Sequence, residues 1–177
     1  MKFNLFLLLS ASLSLSAAAC DNHRTGATSS DSSAAVQPAA PTTGNSSLPS
    51  FVVVDAEGKQ IQLQSLKGKK IFLNIWATWC GPCRREMPSI NNLYKSVDTS
   101  KVAFVMLSVD DKFEKAKQYV QREKFSLPVY YPGENLPALF NVEGIPATFI
   151  FDGNGRLLKQ IIGSENYDTD EFRKLLQ

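Results

Sequence analysis

Cys80 and Cys83, with two residues between them, stand where a buried strand would hand over to a helix. Lys70 to Trp76 is an apolar run that suits a strand covered on both faces. After Ala77-Thr78-Trp79 comes Cys80-Gly81-Pro82-Cys83, and from there Met87, Ile90, Tyr94 and Val97 recur at helical spacing. Pro82 fits a first helical turn, where a missing N–H is no loss. The unpaired amides and positive dipole of a helix start favour thiolate over thiol. We therefore expect Cys80, at the extreme end, to be the accessible nucleophile. Cys83, on the apolar stripe, is then the buried cysteine that resolves a mixed disulfide.

Other uses of the pair fit worse. A structural zinc site wants four thiolate or imidazole ligands, and this chain has three cysteines (20, 80 and 83) and one histidine, His23. Cys20 and His23 lie far off in linker-like sequence, so we expect no metal. A stapled scaffold needs several pairs, and closing a two-residue loop contributes little chain-entropy stabilisation. A net charge of +2 over 177 residues, without a basic stripe, argues against nucleic acid. Redox chemistry with no cofactor beyond the dithiol itself is the reading that stands.

The first residues read as an address. Lys2 is followed by an apolar core from Phe3 through Leu15 and by Ala17-Ala18-Ala19 before Cys20, the pattern of a signal peptide over 1–19. The apolar stretch is serine-broken and shorter than the ~20 residues a bilayer span requires. Ala-Ala-Ala-Cys resembles a bacterial lipobox, which makes Cys20 a lipidation site. Ordinary cleavage leaving a soluble secreted protein is the other reading. Asp21-Asn22 resembles an inner-membrane retention signal, and as plain linker residues they carry no address. From 20 to 50 the chain is rich in Ser, Thr, Ala and Pro, too poor in large apolar side chains to order itself. We expect this segment to be a tether.

The folded domain is expected over 51–177. Phe51 to Val54 and Gln60 to Leu63 flank Asp55-Ala56-Glu57-Gly58-Lys59 as a hairpin. Val102 to Val109 reads as a second buried strand. Phe113, Ala116 and Val120 mark a second helix, with Asp110 and Asp111 placed to favour its dipole. A short helix is expected at Leu136 to Asn141. Strands at Ala147 to Phe151 and Leu157 to Ile162 surround Asp152-Gly153-Asn154-Gly155, a strong turn signal. Asp168 or Thr169 would cap a last helix ending at Leu176. The order is an α/β domain: a mixed central sheet flanked by helices on both faces, with an extra N-terminal β-hairpin.

The stretch Leu73-Asn74-Ile75-Trp76-Ala77-Thr78-Trp79-Cys80-Gly81-Pro82-Cys83-Arg84-Arg85-Glu86-Met87-Pro88 resembles the active site of the TlpA/ResA/DsbE-like branch of the thioredoxin superfamily. The resemblance runs from about Leu48 to Gln177. It implies a thioredoxin fold and a protein-disulfide reductase on the extracytoplasmic face of the inner membrane, held as a lipoprotein with its catalytic domain in the periplasm. Exported proteins are the implied substrates, apocytochromes c or copper-site proteins among them. A membrane dithiol protein of the CcdA/DsbD type is the implied donor, and the working unit is a monomer. Gly144-Ile145-Pro146-Ala147 resembles the family's cis-proline loop, with Ile145–Pro146 as the cis bond and Ile145 backbone pairing with substrate. Pro88 matches a helix-kinking proline without a catalytic part.

The same resemblance gives Glu86 a role. Asn74 stands where ordinary thioredoxins carry a buried aspartate, and Glu86, three residues after Cys83, is implied to accept the Cys83 proton instead. A solvated glutamate beside Arg84 and Arg85 is the competing reading. Trp79, Gly81 and Pro82 are expected on the docking surface, and Trp76 in the core. Two rival functions use the same residues: a Cu(I) carrier, for which Met-rich or His-rich sequence is lacking, and a thiol peroxidase, for which the proline before Thr78 is lacking.

Overall fold

The computed structural model describes residues 46–177. The signal peptide, Cys20 lipidation and most of the tether fall in residues 1–45 and so lie outside the described residues. Chain packing starts slightly ahead of Phe51. Leu48 is buried and its N–H donates to Gly155 O at 2.7 Å, while Ser47 bridges Arg156.

The elements are β1 (Val52–Val54), β2 (Gln60–Gln62), a 3-10 turn (Leu63–Leu66) and β3 (Lys70–Trp76). There follow α1 (Gly81–Ser96), β4 (Val102–Ser108), α2 (Phe113–Arg122) and β5 (Val129–Pro132). The chain closes with β6 (Ala147–Phe151), β7 (Leu157–Ile162) and α3 (Asp170–Leu176). The hairpin turn depends on Gly58, which adopts a φ of +85°, a conformation that costs glycine little and other residues much.

The seven strands form one sheet in the order β2-β1-β5-β4-β3-β6-β7. β3, β4 and β5 run parallel, and the remaining pairs are antiparallel. Both crossovers, β3-α1-β4 and β4-α2-β5, step the same way across the sheet. Right-handed connections then put α1 and α2 on one face. Side chains of α1, α2 and α3 share a core there with Phe72, Trp76 and Phe104. On the other face Ile71, Leu73 and Ile75 pack with Leu48, Phe51, Phe140 and Leu63, so the helical cover on that side is the 3-10 turn. The alternation along β3 is the reason its sequence reads as apolar throughout: both faces are buried.

Two local expectations need correction, and one strand was not expected. Leu136 to Asn141 is not a helix but a single turn, closed by Phe140 N–H to Pro137 O at 2.8 Å. With proline at 137 and Gly144-Ile145-Pro146 just beyond, the segment is too short to repay helix nucleation, and Phe140 drops into the core instead. β5 was not foreseen, because Pro128 and Pro132 bracket it. Pro132 is tolerated at the strand end, paired with Val53. Thr169 occupies the N-cap position of α3 but makes no capping bond.

Candidate active site

β3 ends at Trp76 and α1 begins at Gly81, so the cysteines sit on a helix N-terminus at the edge of the core. Cys80 is the N-cap residue, with φ −80° and ψ 107°, and its Sγ accepts the Cys83 N–H at 3.2 Å. Cys80 and Cys83 are joined as a disulfide, Cα to Cα 5.3 Å. Pro82 occupies the first helical turn as its missing N–H allows. Pro88 lies inside α1. Both cysteines are buried, Cys83 fully and Cys80 with 5% of its surface exposed, so Cys80 is the one nearer to a partner's reach. That exposure is narrower than the sequence reading suggested.

The substrate-facing rim is assembled from two directions. Trp79, preceding Cys80, is 66% exposed, whereas Trp76 is buried against Tyr119 with ring centroids 5.6 Å apart. From the other side, the loop into β6 carries a cis Ile145–Pro146 bond and places the Ile145 carbonyl oxygen 3.7 Å from Cys80 Sγ. Gly163 N–H donates to Pro146 O at 2.8 Å and so ties that loop to the end of β7. Pro82 is exposed and Gly81 half-buried on the open end of the helix.

Beneath the dithiol lies a closed polar cluster. Glu86 is 2% exposed, so the solvated reading of this residue does not hold. Asn74 Nδ2 donates to Glu86 Oε1 at 2.8 Å and to Thr148 Oγ1 at 2.9 Å. The Tyr167 hydroxyl also donates to Thr148 Oγ1, at 2.6 Å, and Glu165 N–H donates to Glu86 Oε2 at 3.1 Å. Register explains part of this, since Asn74 on β3 pairs directly with Thr148 on β6. Burial pushes the Glu86 carboxyl up from its ordinary 4.5 to about 7, against the opposing hydrogen bonds from Asn74, the Glu165 amide and Ser164. An acid held near neutrality can take and return a proton under ordinary conditions.

Asp110 does not serve α2, as its position before that helix suggested. It is buried, and its carboxylate accepts the Thr78 hydroxyl at 2.6 Å, the Thr78 N–H at 3.1 Å and the Ser108 hydroxyl at 2.9 Å. β4 lies beside β3, so a residue just past β4 meets the loop that follows β3. That adjacency was the signal available, and helix-dipole reasoning about α2 masked it. Thr148 and Tyr167 were likewise missed: one reads as a routine strand residue, the other as part of a loop. Among the described residues no three His, Cys, Asp or Glu side chains converge as a metal site would need.

A family model described as Redoxin matches residues 43–176. The chain belongs to the Redoxin family. ResA, the thiol-disulfide oxidoreductase of Bacillus thuringiensis (strain Al Hakam), is 39% identical over 124 residues, which cover 70% of this chain and 72% of ResA. ResA of Bacillus subtilis (strain 168) is 32% identical over 120 residues, 67% of each chain. Among solved structures, a thioredoxin-family thiol:disulfide interchange protein from Chlorobium tepidum TLS superposes with a TM-score of 0.64 at 31% identity. That match covers 79% of this chain and 99% of the other. The Redoxin domain described above is therefore that of a thiol–disulfide oxidoreductase with the thioredoxin fold, in the TlpA/ResA/DsbE-like branch that the motif resembled.

Proposed function

We propose that the protein reduces disulfides of exported proteins outside the cytoplasm, with Cys80 as nucleophile, Cys83 as resolving thiol and Glu86 as proton acceptor. The observation that carries this reading is the Cys80–Cys83 disulfide at a helix N-terminus, with Cys80 the more exposed of the pair and its Sγ 3.7 Å from the Ile145 carbonyl oxygen. In the reduced protein the Cys80 thiolate attacks a substrate disulfide and releases one substrate thiolate. The Glu86 carboxylate takes the proton of Cys83, whose sulfur then attacks Cys80 Sγ. The second substrate thiolate leaves, and the Cys80–Cys83 disulfide forms. Two electrons have passed to the substrate.

The substrate's extended chain pairs with the Ile145 backbone beside Pro146, with Trp79, Gly81 and Pro82 forming the opposite lip. Cleavage after Ala19 and lipidation of Cys20 hold the domain at the outer face of the inner membrane. A membrane dithiol donor of the CcdA/DsbD type returns the electrons. Apocytochromes c and copper-site proteins are the substrate classes that the branch resemblance favours.

Trapping tests the assignment. A Cys83→Ser variant of the full chain is expected to accumulate mixed disulfides with partner proteins through Cys80. If a Cys80→Ser variant trapped partners instead, the two roles would be reversed. A reduction potential well above about −200 mV would replace the reductase reading with an oxidase or isomerase.

A further inference from the structure

Starting at Gly81, next to Cys80, α1 and α2 enclose a shallow groove. It forms two adjoining hollows of about 280 and 300 Å³, sharing Arg84, Tyr119 and Arg122 in their walls. Gly81 and Arg85 line the first, and Lys115 the second. The wall begins one residue from Cys80, and the nearest atom to a Cβ built on Gly81 would be the Arg85 guanidinium, at 3.7 Å.

The groove is mostly basic: Glu123, in the wall of the first hollow, is its one acidic lining residue. Arg122 is paired with Glu123 at 3.1 Å and Lys115 with Asp111 at 2.6 Å. Arg84 and Arg85 form no ion pair among the described residues. All four basic side chains are exposed. Two guanidiniums without ion-pair partners therefore stand in the groove wall next to Gly81, on the end of α1 whose dipole is already positive. Each hollow is at or below the low end of small-molecule clefts, roughly 300–1,000 Å³. An open, shallow, mostly basic track that begins one residue from the reacting cysteine suits side chains of a passing polypeptide.

We propose that this groove docks an acidic segment of the substrate polypeptide, adjacent in sequence to the substrate cysteine under attack. The proposal rests on the reductase reading above and adds the partner's chemistry to it. A chain paired with Ile145 on one side of Cys80 continues past Gly81 and lays its next residues over Arg84, Arg85 and Arg122. Carboxylates there meet planar guanidiniums, the geometry arginine favours. The pairs are solvent-exposed, so their effect is on encounter and selectivity, and salt weakens it.

The test uses the full chain, pre-reduced, and three synthetic peptides with the same internal disulfide, flanked by Glu, Gln or Lys residues. At low salt the Glu peptide is expected to show a kcat/KM about 3- to 10-fold above that of the Lys peptide, shrinking towards parity at high salt. Arg122→Gln is expected to narrow the Glu-to-Lys ratio, and Arg122→Glu to abolish or invert it. A ratio between two peptides on one variant cancels any general loss of folding or thiol reactivity. Equal rates for all three peptides, or a ratio unmoved by Arg122→Glu, would overturn the proposal while leaving the reductase reading intact. If none of the peptides is reduced, both fall. If Arg122→Glu instead abolishes binding to vesicles of anionic phospholipid and leaves the peptide ratio unchanged, the groove faces the membrane and the proposal is wrong.

Discussion

The Asn74 side-chain amide on β3 donates to Glu86 Oε1 on α1 across 2.8 Å, with both residues buried beneath the Cys80–Cys83 disulfide. Two effects of opposite sign meet in that contact. Burial disfavours the charged carboxylate, and the donated hydrogen bonds favour it. Burial wins, and the carboxyl stands at about 7. Asn74 thus does more than fill space: it keeps Glu86 ionisable near neutral pH while its own Oδ1 remains buried without a partner.

The first consequence is a pH-dependent stability. Between the ordinary 4.5 and about 7 the folded protein holds a proton on Glu86 that the unfolded chain has released. The unfolded state binds fewer protons in that window, so stability is greatest below it, falls as pH rises through it and levels off above. The drop is on the order of 3 kcal/mol. Glu86→Gln keeps the shape and removes the proton, so its stability should be nearly level across the window. Urea midpoints of both proteins at pH 5 and pH 8 check this. A wild-type midpoint that does not fall with pH would refute the buried-acid account.

Asn74→Asp places a second carboxylate against the first. Two such groups at hydrogen-bond distance share one proton below neutrality and resist losing it. We expect the variant to match the wild type at pH 5 and to lose about 3 kcal/mol more by pH 8, as an uncompensated buried charge does. Thermal unfolding at the two pH values measures the difference.

Asp110 holds the loop that presents the dithiol. Asp110→Ala strips the acceptor from the half-buried Thr78 hydroxyl and amide, at a cost of about 1–3 kcal/mol. Asp110→Asn retains an acceptor oxygen and should cost less. Hydrogen exchange at the Thr78 amide is expected to accelerate in the alanine variant beyond the change at amides of β4. Uniform acceleration would mean general destabilisation without a local latch.

The legibility of these features follows their range along the chain. β3 and the α1 start could be read because alternation, helical spacing and Pro82 are local signals, and β3 matches its expected limits, Lys70–Trp76. The two-faced burial of β3 was also readable, since Ile71, Leu73 and Ile75 alternate with Phe72 and Trp76. Glu86 was ambiguous because what buries it is remote: residues 163–167 fold back over α1, where Ser89 Oγ accepts the Tyr167 N–H at 3.1 Å. Nothing within a helical turn of Glu86 reports that closure, and Arg84-Arg85 points the other way. β5 was hidden for a related reason. Its pairing with β1 and β4 outweighs the two prolines only once those strands are in place.

Tyr167 is the residue on which that remote closure can be tested. It is fully buried, its ring meets Phe72 at 5.2 Å and Phe172 at 4.9 Å, and its hydroxyl donates to Thr148 at 2.6 Å. Burial, with the neighbouring Glu86 carboxyl adding to it, holds the phenol above its usual range, so it stays a neutral donor throughout the working pH. Tyr167→Phe removes one buried hydrogen bond while keeping the ring, and should cost about 1–2 kcal/mol. Tyr167→Ala also empties the ring site and should cost about 3–5 kcal/mol. The two losses separate the hydroxyl from the packing. If Tyr167→Phe proved as damaging as Tyr167→Ala in denaturant unfolding, the hydroxyl contact with Thr148 would carry the closure over Glu86. If Tyr167→Phe cost nothing, the ring alone would.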